Sequence, residues 1–195
     1  MGCTSLKNVY MANASNIPAY MFYGCSSLGS FDLSHTTEIG GYAFRESGIA
    51  GELVIPDSVT SIGERAFLET KITSLSIPAT VEKMGQGAFH GTPLESIMID
   101  TSATADGIFS QAPNIKYITV GPHVSSFHKS TFQGTPEGAL VTIDPDNEHF
   151  KTTDHHDVMS RDTGEQLYPY IKPAPTPPTE IRHIDYGTTE VNVGS

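Results

Sequence analysis

Basic residues are scarce in this chain. Lys and Arg number 11 against 22 Asp and Glu in 195 residues, for a net charge of −11 at pH 7. That balance excludes the basic footprint by which proteins hold nucleic acid or anionic membrane surfaces. Long apolar runs are missing too: no window approaches the roughly 18 residues of a membrane helix, and no leader peptide is visible. Cysteine is nearly absent, with only Cys3 and Cys25, so there is no Cys-x-x-Cys for zinc. No Gly-x-Ser-x-Gly supplies a strained nucleophile turn. No Gly-Lys pair can begin a phosphate-cradling loop, and no Gly-x-Gly-x-x-Gly opens a helix. Enzymatic and cofactor-dependent classes therefore have no motif to stand on.

What the chain has instead is a period. Phe22, Phe44, Phe67, Phe89, Phe109 and Phe132 recur at steps of 20–23 residues. A fixed period in that range marks a solenoid, in which each repeat is one supersecondary unit stacked on the next. Five residues before most of these Phe lies a second apolar residue: Ile17, Ile39, Ile62, Met84 and Phe127, with Thr104 breaking the series. Gly40, Gly63 and Gly85 align, which points to close backbone approach or a positive φ. A short run follows each Phe, as in Leu28–Leu33, Ile72–Ile77, Leu94–Ile99 and Ile115–Val120. Leu6–Met11 belongs with them; the second repeat has one extra residue, so Leu53 and Ile55 take the paired places, and the last repeat offers Val141 and Ile143. The pattern apolar-x-x-apolar-x-apolar ends in the alternation of a half-buried strand. Pro56 and Pro78 end two of these runs, since proline has no amide hydrogen to donate. Each coil reads as one short strand, a turn, an irregular or 3₁₀ segment carrying the Phe, and a return.

The phrases Phe22-x-Gly-Cys-Ser-Ser-Leu28 and Ile55-Pro-x-x-Val-x-x-Ile-Gly-x-x-Ala-Phe67, with a copy of the latter at 77–89, resemble the BspA-like leucine-rich repeats. The resemblance covers about residues 1–150. It implies a leucine-rich repeat solenoid, mostly β and loop, from proteins secreted by or attached to the surface of gut and oral bacteria and some protists. It implies no catalytic residue, cofactor or metal. Ile143-Asp-Pro-Asp-Asn-Glu-His-Phe150 resembles a known ending of such arrays, with Asp and Asn forming a turn. The repeat at 94–109 lacks the Ile-Gly-x-x-Ala-Phe string, and its coil is expected to be shorter or bulged.

Beyond Phe150 the period is lost. Residues 151–172 read as a hairpin-like excursion around Asp162-Thr-Gly164, and 173–195 as a Pro-rich connector and the start of a further, truncated repeat. The chain opens mid-repeat, with Gly2-Cys-Thr-Ser-Leu6 copying Gly24-Cys-Ser-Ser-Leu28. A piece of a longer array is expected, with ends able to self-associate. Cys3 and Cys25 occupy one repeat position and are read as reduced thiols, although adjacent coils would place them within disulfide reach.

Three polar groups invite a chemical reading. Asp154-His-His-Asp157, with Glu148 and His149 nearby, has zinc-type donors but no helical His-Glu-x-x-His spacing. Asp144-x-Asp146-Asn147-Glu148 lacks the glycine and distal Glu of a calcium loop. Asn13-Ala-Ser15 is a glycosylation acceptor only in a eukaryotic secretory route. His123 and His128 read as hydrogen-bonded or surface residues. That leaves the sheet face, whose outward positions stack into one concave surface: Tyr10, Asp32, Val54, Met98, Tyr117 and Thr119 among them. Such faces bind partners, and the aromatic residues are natural anchors. The implied function is adhesion, by binding a protein or glycan outside the cell. The alternative is a passive spacer in a larger exported protein.

Overall fold

The structure, a computed structural model, describes residues 2–11, 15–128, 130–134, 139–152 and 158–161. Among these the chain forms no helix and the following strands: β1 (Asn16–Ile17), β2 (Glu38–Ile39), β3 (Ala50–Val54), β4 (Ser61–Ile62), β5 (Lys71–Ile77), β6 (Lys83–Met84), β7 (Ser96–Ile99), β8 (Tyr117–Val120), β9 (Leu140–Ile143), β10 (Phe150–Thr152) and β11 (Val158–Ser160). The parallel order β3-β5-β7-β8-β9 makes the main sheet. Its register places Leu53, Leu75, Ile97, Ile118 and Val141 side by side. These residues point inward and are buried.

Opposite the sheet runs the phenylalanine stack. Phe22, Phe44, Phe67, Phe89, Phe109 and Phe132 are all buried. Successive rings lie 5.3, 5.2, 5.1, 5.9 and 5.5 Å apart, near parallel. Each buried Phe contributes roughly 1.5–3 kcal/mol by leaving water. Phe31 covers one end of the stack against Phe22 and Phe44. Phe127 and Phe150 cover the other.

The backbone around each Phe is neither strand nor 3₁₀ helix. Alternate amides go in two directions. Those of Tyr42, Phe44 and Glu46 donate to the next coil, at Glu64, Ala66 and Leu68, each at 2.8 Å. Those of Ala43, Arg45 and Ser47 turn back within the coil, to Gly40, Tyr42 and Phe44. This accounts for every amide in a buried turn, and it uses left-handed residues two before and two after the Phe. Tyr20, Tyr42, Arg65, Gly87 and Gly107 hold the first place; Gly24, Glu46, Glu69, Gly91, Gln111 and Gly134 hold the second.

Two departures from the sequence reading have physical causes. First, Leu6–Met11 and Leu28–Leu33 join no sheet among the described residues. Gly29 adds no packing surface there, and the Asp32 carboxylate accepts the Ser34 amide at 2.9 Å, a local bond that competes with a ladder. Their apolar residues still face the core: Leu28 and Leu33 are buried, and Leu6, Val9, Met11 and Phe31 pack against it. Second, a second parallel sheet, β1-β2-β4-β6, aligns Ile17, Ile39, Ile62 and Met84. Two-residue strands leave no periodicity to read. Of the two readings open for Gly40, Gly63 and Gly85, positive φ does not hold. A Cβ on any of them would overlap the backbone of the preceding coil, so close approach is the reason for glycine. In agreement with the extra residue of the second repeat, the main sheet carries a register shift at Gly51/Glu52.

Asn147 closes the last coil. Its Nδ2 donates to Gly121 O and Val124 O at 2.7 and 2.9 Å, and its Oδ1 accepts the amides of His149 and Phe150. β10 then pairs antiparallel with β11. The turn expected at 162–164, the Pro-rich stretch and everything after residue 161 lie outside the described residues.

Phe67→Ala or Phe89→Ala should each lower the unfolding free energy by about 3–5 kcal/mol, because a cavity opens mid-stack. Urea denaturation showing less than about 1 kcal/mol would mean that the stack does not hold the coils. Gly85→Ala should cost about 1–3 kcal/mol through backbone overlap. Glu69→Gly, at φ 56°, should be neutral or stabilising. Relief of roughly 1–2 kcal/mol of left-handed strain offsets roughly 0.5–1 kcal/mol of glycine entropy. Equal losses of thermal stability in these two variants would refute the distinction.

Candidate functional site

The outward face of the main sheet carries two rows. One runs Glu52, Ser74, Ser96, Tyr117, Leu140; the other runs Val54, Ser76, Met98, Thr119, Thr142. Strand alternation puts both rows on one face. Ser96 Oγ donates to Ser74 Oγ at 2.9 Å, as hydroxyls one strand apart do. Tyr117 on β8 is 46% exposed, and Val54 on the edge strand β3 is 57% exposed. Met98 and Thr119 are half-buried neighbours in register. Beside Tyr117, Lys116 Nζ pairs with Glu95 at 2.9 Å, and that carboxylate pushes the ammonium pKa up.

Of the expected face residues, Val54, Met98, Tyr117 and Thr119 therefore share this sheet. Tyr10 and Asp32 are exposed but lie in the two coils that contribute no strand to the main sheet. Bonding from the Ser34 backbone amide holds the Asp32 carboxyl below its usual range, so it stays ionised near neutrality.

The Phe-bearing wall holds a feature the sequence reading passed over. The left-handed position two before the first five of these Phe faces outward, and where it carries a side chain the side chains stack. Tyr20 lies on Tyr42 with ring centroids 4.9 Å apart and planes 4° from parallel. Tyr42 in turn lies under the Arg65 guanidinium, 5.9 Å from its centroid. Arg65 Nη1 donates to Tyr42 Oη at 2.8 Å, and Tyr42 donates to Glu64 at 2.9 Å. Then the row stops, because Gly87 and Gly107 occupy the next two places. A cavity of about 210 Å³ opens there, lined by Arg65, Gln86, His90, Asp106, Ser110 and Gln133 around the two glycines. The signal was available: the third residue of each Gly-x-x-Ala-Phe string reads Tyr42, Arg65, Gly87.

The wall also contains a Ser–His–Asp group. Ser130 Oγ donates to Asp106 Oδ1 and accepts the Gly107 amide at 3.0 Å; His128 Nδ1 lies 2.7 Å from the same oxygen. A nucleophilic triad needs the imidazole between serine and carboxylate. Here the serine is in the middle, its proton already directed to Asp106, and it is buried. The group is a clasp between coils, placed where Thr104 breaks the apolar row. His123 Nδ1 meets Asp100 Oδ2 at 2.9 Å in the turns that follow β8 and β7.

Among the described residues no three His, Cys, Asp or Glu gather to hold a metal ion. Asp144 and Asn147 bond backbone amides of their own turn. Asp154–Asp157 and Asn13 lie outside the described residues. Cys3 is exposed and Cys25 buried, and neither is bridged; burial pushes the Cys25 thiol up. No helix among the described residues is long and apolar enough to cross a membrane.

Ser130→Ala should cost about 1–3 kcal/mol, because the buried Gly107 amide loses its acceptor. The unsubstituted protein should take no label at Ser130 from a fluorophosphonate. Labelling at Ser130, or unchanged denaturant stability in the alanine variant, would overturn the clasp.

The comparisons agree with this architecture. The solved structure of the pneumococcal vaccine antigen PcpA matches with a TM-score of 0.50 at 22% identity, over 66% of this chain and 33% of that one. At that identity it shows the fold, and this chain spans about a third of its length. No curated protein matches the sequence. The family described as the BspA type leucine rich repeat region matches in 6 copies, over residues 1–50 and 15–138. With most of its length so matched, and with coils that stack as the repeat requires, the chain belongs to the BspA-type leucine-rich repeat family.

Proposed function

We propose that this chain is a non-enzymatic interaction module of an exported surface protein, binding an extracellular protein or glycan through the outward face of its main sheet. The observation that carries the reading is the placement of Tyr117 and Met98. They sit on adjacent strands of a rigid sheet, Tyr117 nearly half exposed, with a hydroxyl-bearing surround in Ser74, Ser76, Ser96 and Thr119. A rigid aromatic anchor with a polar rim is the pattern of binding hot spots. The family and the vaccine antigen that shares the fold support an extracellular setting. The acidic balance disfavours nucleic acid and anionic lipid.

A second reading keeps the chain as a spacer that projects another domain. The same serine and threonine rows favour it, because Ser96 spends its hydrogen bond on Ser74 rather than offering it to a partner.

Purified, monodisperse protein should bind saturably to at least one member of a panel of extracellular-matrix proteins and glycans at physiological salt. Tyr117→Ala and Met98→Ala should each weaken that binding at least about tenfold, or 1.4 kcal/mol. Binding that ignores both changes would move the site off the sheet face. A panel without any binding would leave the spacer.

A further inference from the structure

The cavity over Gly87 and Gly107 lies on the opposite wall from the sheet face and is independent of the reading above. We infer that it is a binding site for a neutral saccharide unit. Three features of the wall point there.

The first is how the space arises. In preceding coils the position two before the Phe carries Tyr20, Tyr42 and Arg65; Gly87 and Gly107 remove that side chain from two consecutive coils. Glycine is not forced on the chain by crowding at the first of these. A Cβ on Gly87 would sit 3.5 Å from Arg65 Cγ and His90 Cβ, which is ordinary contact. Its φ of 60° is matched by Tyr42 and Arg65 at the same place. The fold thus accepts a side chain where none is found. The resulting volume, about 210 Å³, is below the roughly 300–1,000 Å³ of sites for drug-sized ligands. It suits one ring rather than a chain of them.

The second is the donor and acceptor set. Gln86 and Gln133 are exposed at the rim of the cavity, and each carboxamide offers two donors and an acceptor. Ser110 Oγ gives its proton to Gly107 O at 2.9 Å. His90 Nδ1 lies 2.6 Å from the same oxygen, and the ring's second nitrogen, Nε2, donates or accepts according to the tautomer. Groups that both donate and accept match hydroxyls, which do the same.

The third is charge. The guanidinium of Arg65 is already met by Glu64 at 3.2 Å and by the Tyr42 hydroxyl. Asp106 adds a carboxylate to the rim, and the whole chain carries −11. Among the described residues that line the cavity, an anionic ligand such as a phosphate or a sialylated sugar finds no uncompensated cation. A neutral ring finds hydrogen bonds and, at one end, the guanidinium plane with its backing of Tyr42 and Tyr20, a surface on which the C–H face of a sugar can continue the stack.

The test is titration of the intact chain with the methyl glycosides of glucose, galactose, mannose and N-acetylglucosamine, into the millimolar range, followed by proton–nitrogen correlation spectra. At least one should shift the amides of Gly87, His90, Gly107 and Ser110 and the side-chain amides of Gln86 and Gln133, leaving Ser74 and Ser96 of the sheet face in place. Gly87→Tyr repeats the residue at position 42 and should abolish those shifts while keeping the spectrum of the folded chain. Should that variant fail to fold, the exposed pair Gln86→Ala/Gln133→Ala carries the test, with an affinity loss of at least about tenfold. No shift with any of the glycosides would overturn the proposal. So would shifts that persist in both variants, or a response to inorganic phosphate or sialyllactose at lower concentration than to the neutral glycosides. A response at the same residues to a cationic peptide but to no sugar would assign the cavity to a protein partner instead.

Discussion

One distance governs this molecule: the spacing between successive coils. Parallel strands hydrogen-bond at about 4.7–4.9 Å, and every coil must meet its neighbour at nearly that step on all of its walls at once. The main sheet, the two-residue strands of the second sheet and the alternating amides around each Phe are three ladders set to one pitch. Flat aromatic rings are among the few large groups that tolerate such a pitch, since offset-stacked rings pack at 4.5–7 Å between centroids. The Phe column, with its steps of 5.1–5.9 Å, is therefore as much a consequence of the ladders as a support for them. Where backbones come closer still, at Gly40, Gly63 and Gly85, even a methyl group has no room.

The same pitch arranges the surface. A side chain meets its own equivalent one coil away, so like finds like: Ser74 beside Ser96, Tyr20 on Tyr42. For an acidic chain this is a hazard, because equal charges at that distance repel. The structure answers by setting unlike groups next to carboxylates. Glu38 accepts from Asn16, Glu64 from Tyr42, Glu95 from Lys116, and Asp100 from the His123 amide. Exposed pairs of this kind are each worth little, about 0–1 kcal/mol. Their importance lies in what they prevent along a column.

How much of this was legible in the sequence follows from the kind of pattern each feature leaves. The Phe column and the inward strand residues recur at a fixed period, and they were readable residue by residue, including the outward places of Val54, Met98, Tyr117 and Thr119. The strands expected at Leu6–Met11 and Leu28–Leu33 were not distinguishable from the others, because the apolar pattern is intact there and only Gly29 and the Asp32 turn oppose the ladder. That is why Tyr10 and Asp32 were grouped with a sheet they do not join. The second sheet is too short to have a period. The left-handed turns hide behind ordinary residues, since Tyr42, Arg65, Glu46 and Glu69 accept a conformation usually given to glycine. The Ser130 clasp joins residues from different coils through a spacing no motif describes.

The legible and illegible parts differ in a way that bears on function. Positions fixed by stacking have little freedom: a change in one coil is felt in the coils on either side. Freedom exists where the repeat is broken, and in this chain the breaks coincide. The coil between Leu94 and Phe109 loses its Ile-Gly string and its place in the second sheet. It gains the Asp106–Ser130 clasp in compensation, and with Gly107 it lengthens the gap that Gly87 begins. A regular solenoid would present the same row of side chains along its whole wall. The interruption converts a row into a half-open cavity with ends, Arg65 on one side and Gln133 on the other, and such a space can select a ligand by size and by the direction of its hydrogen bonds.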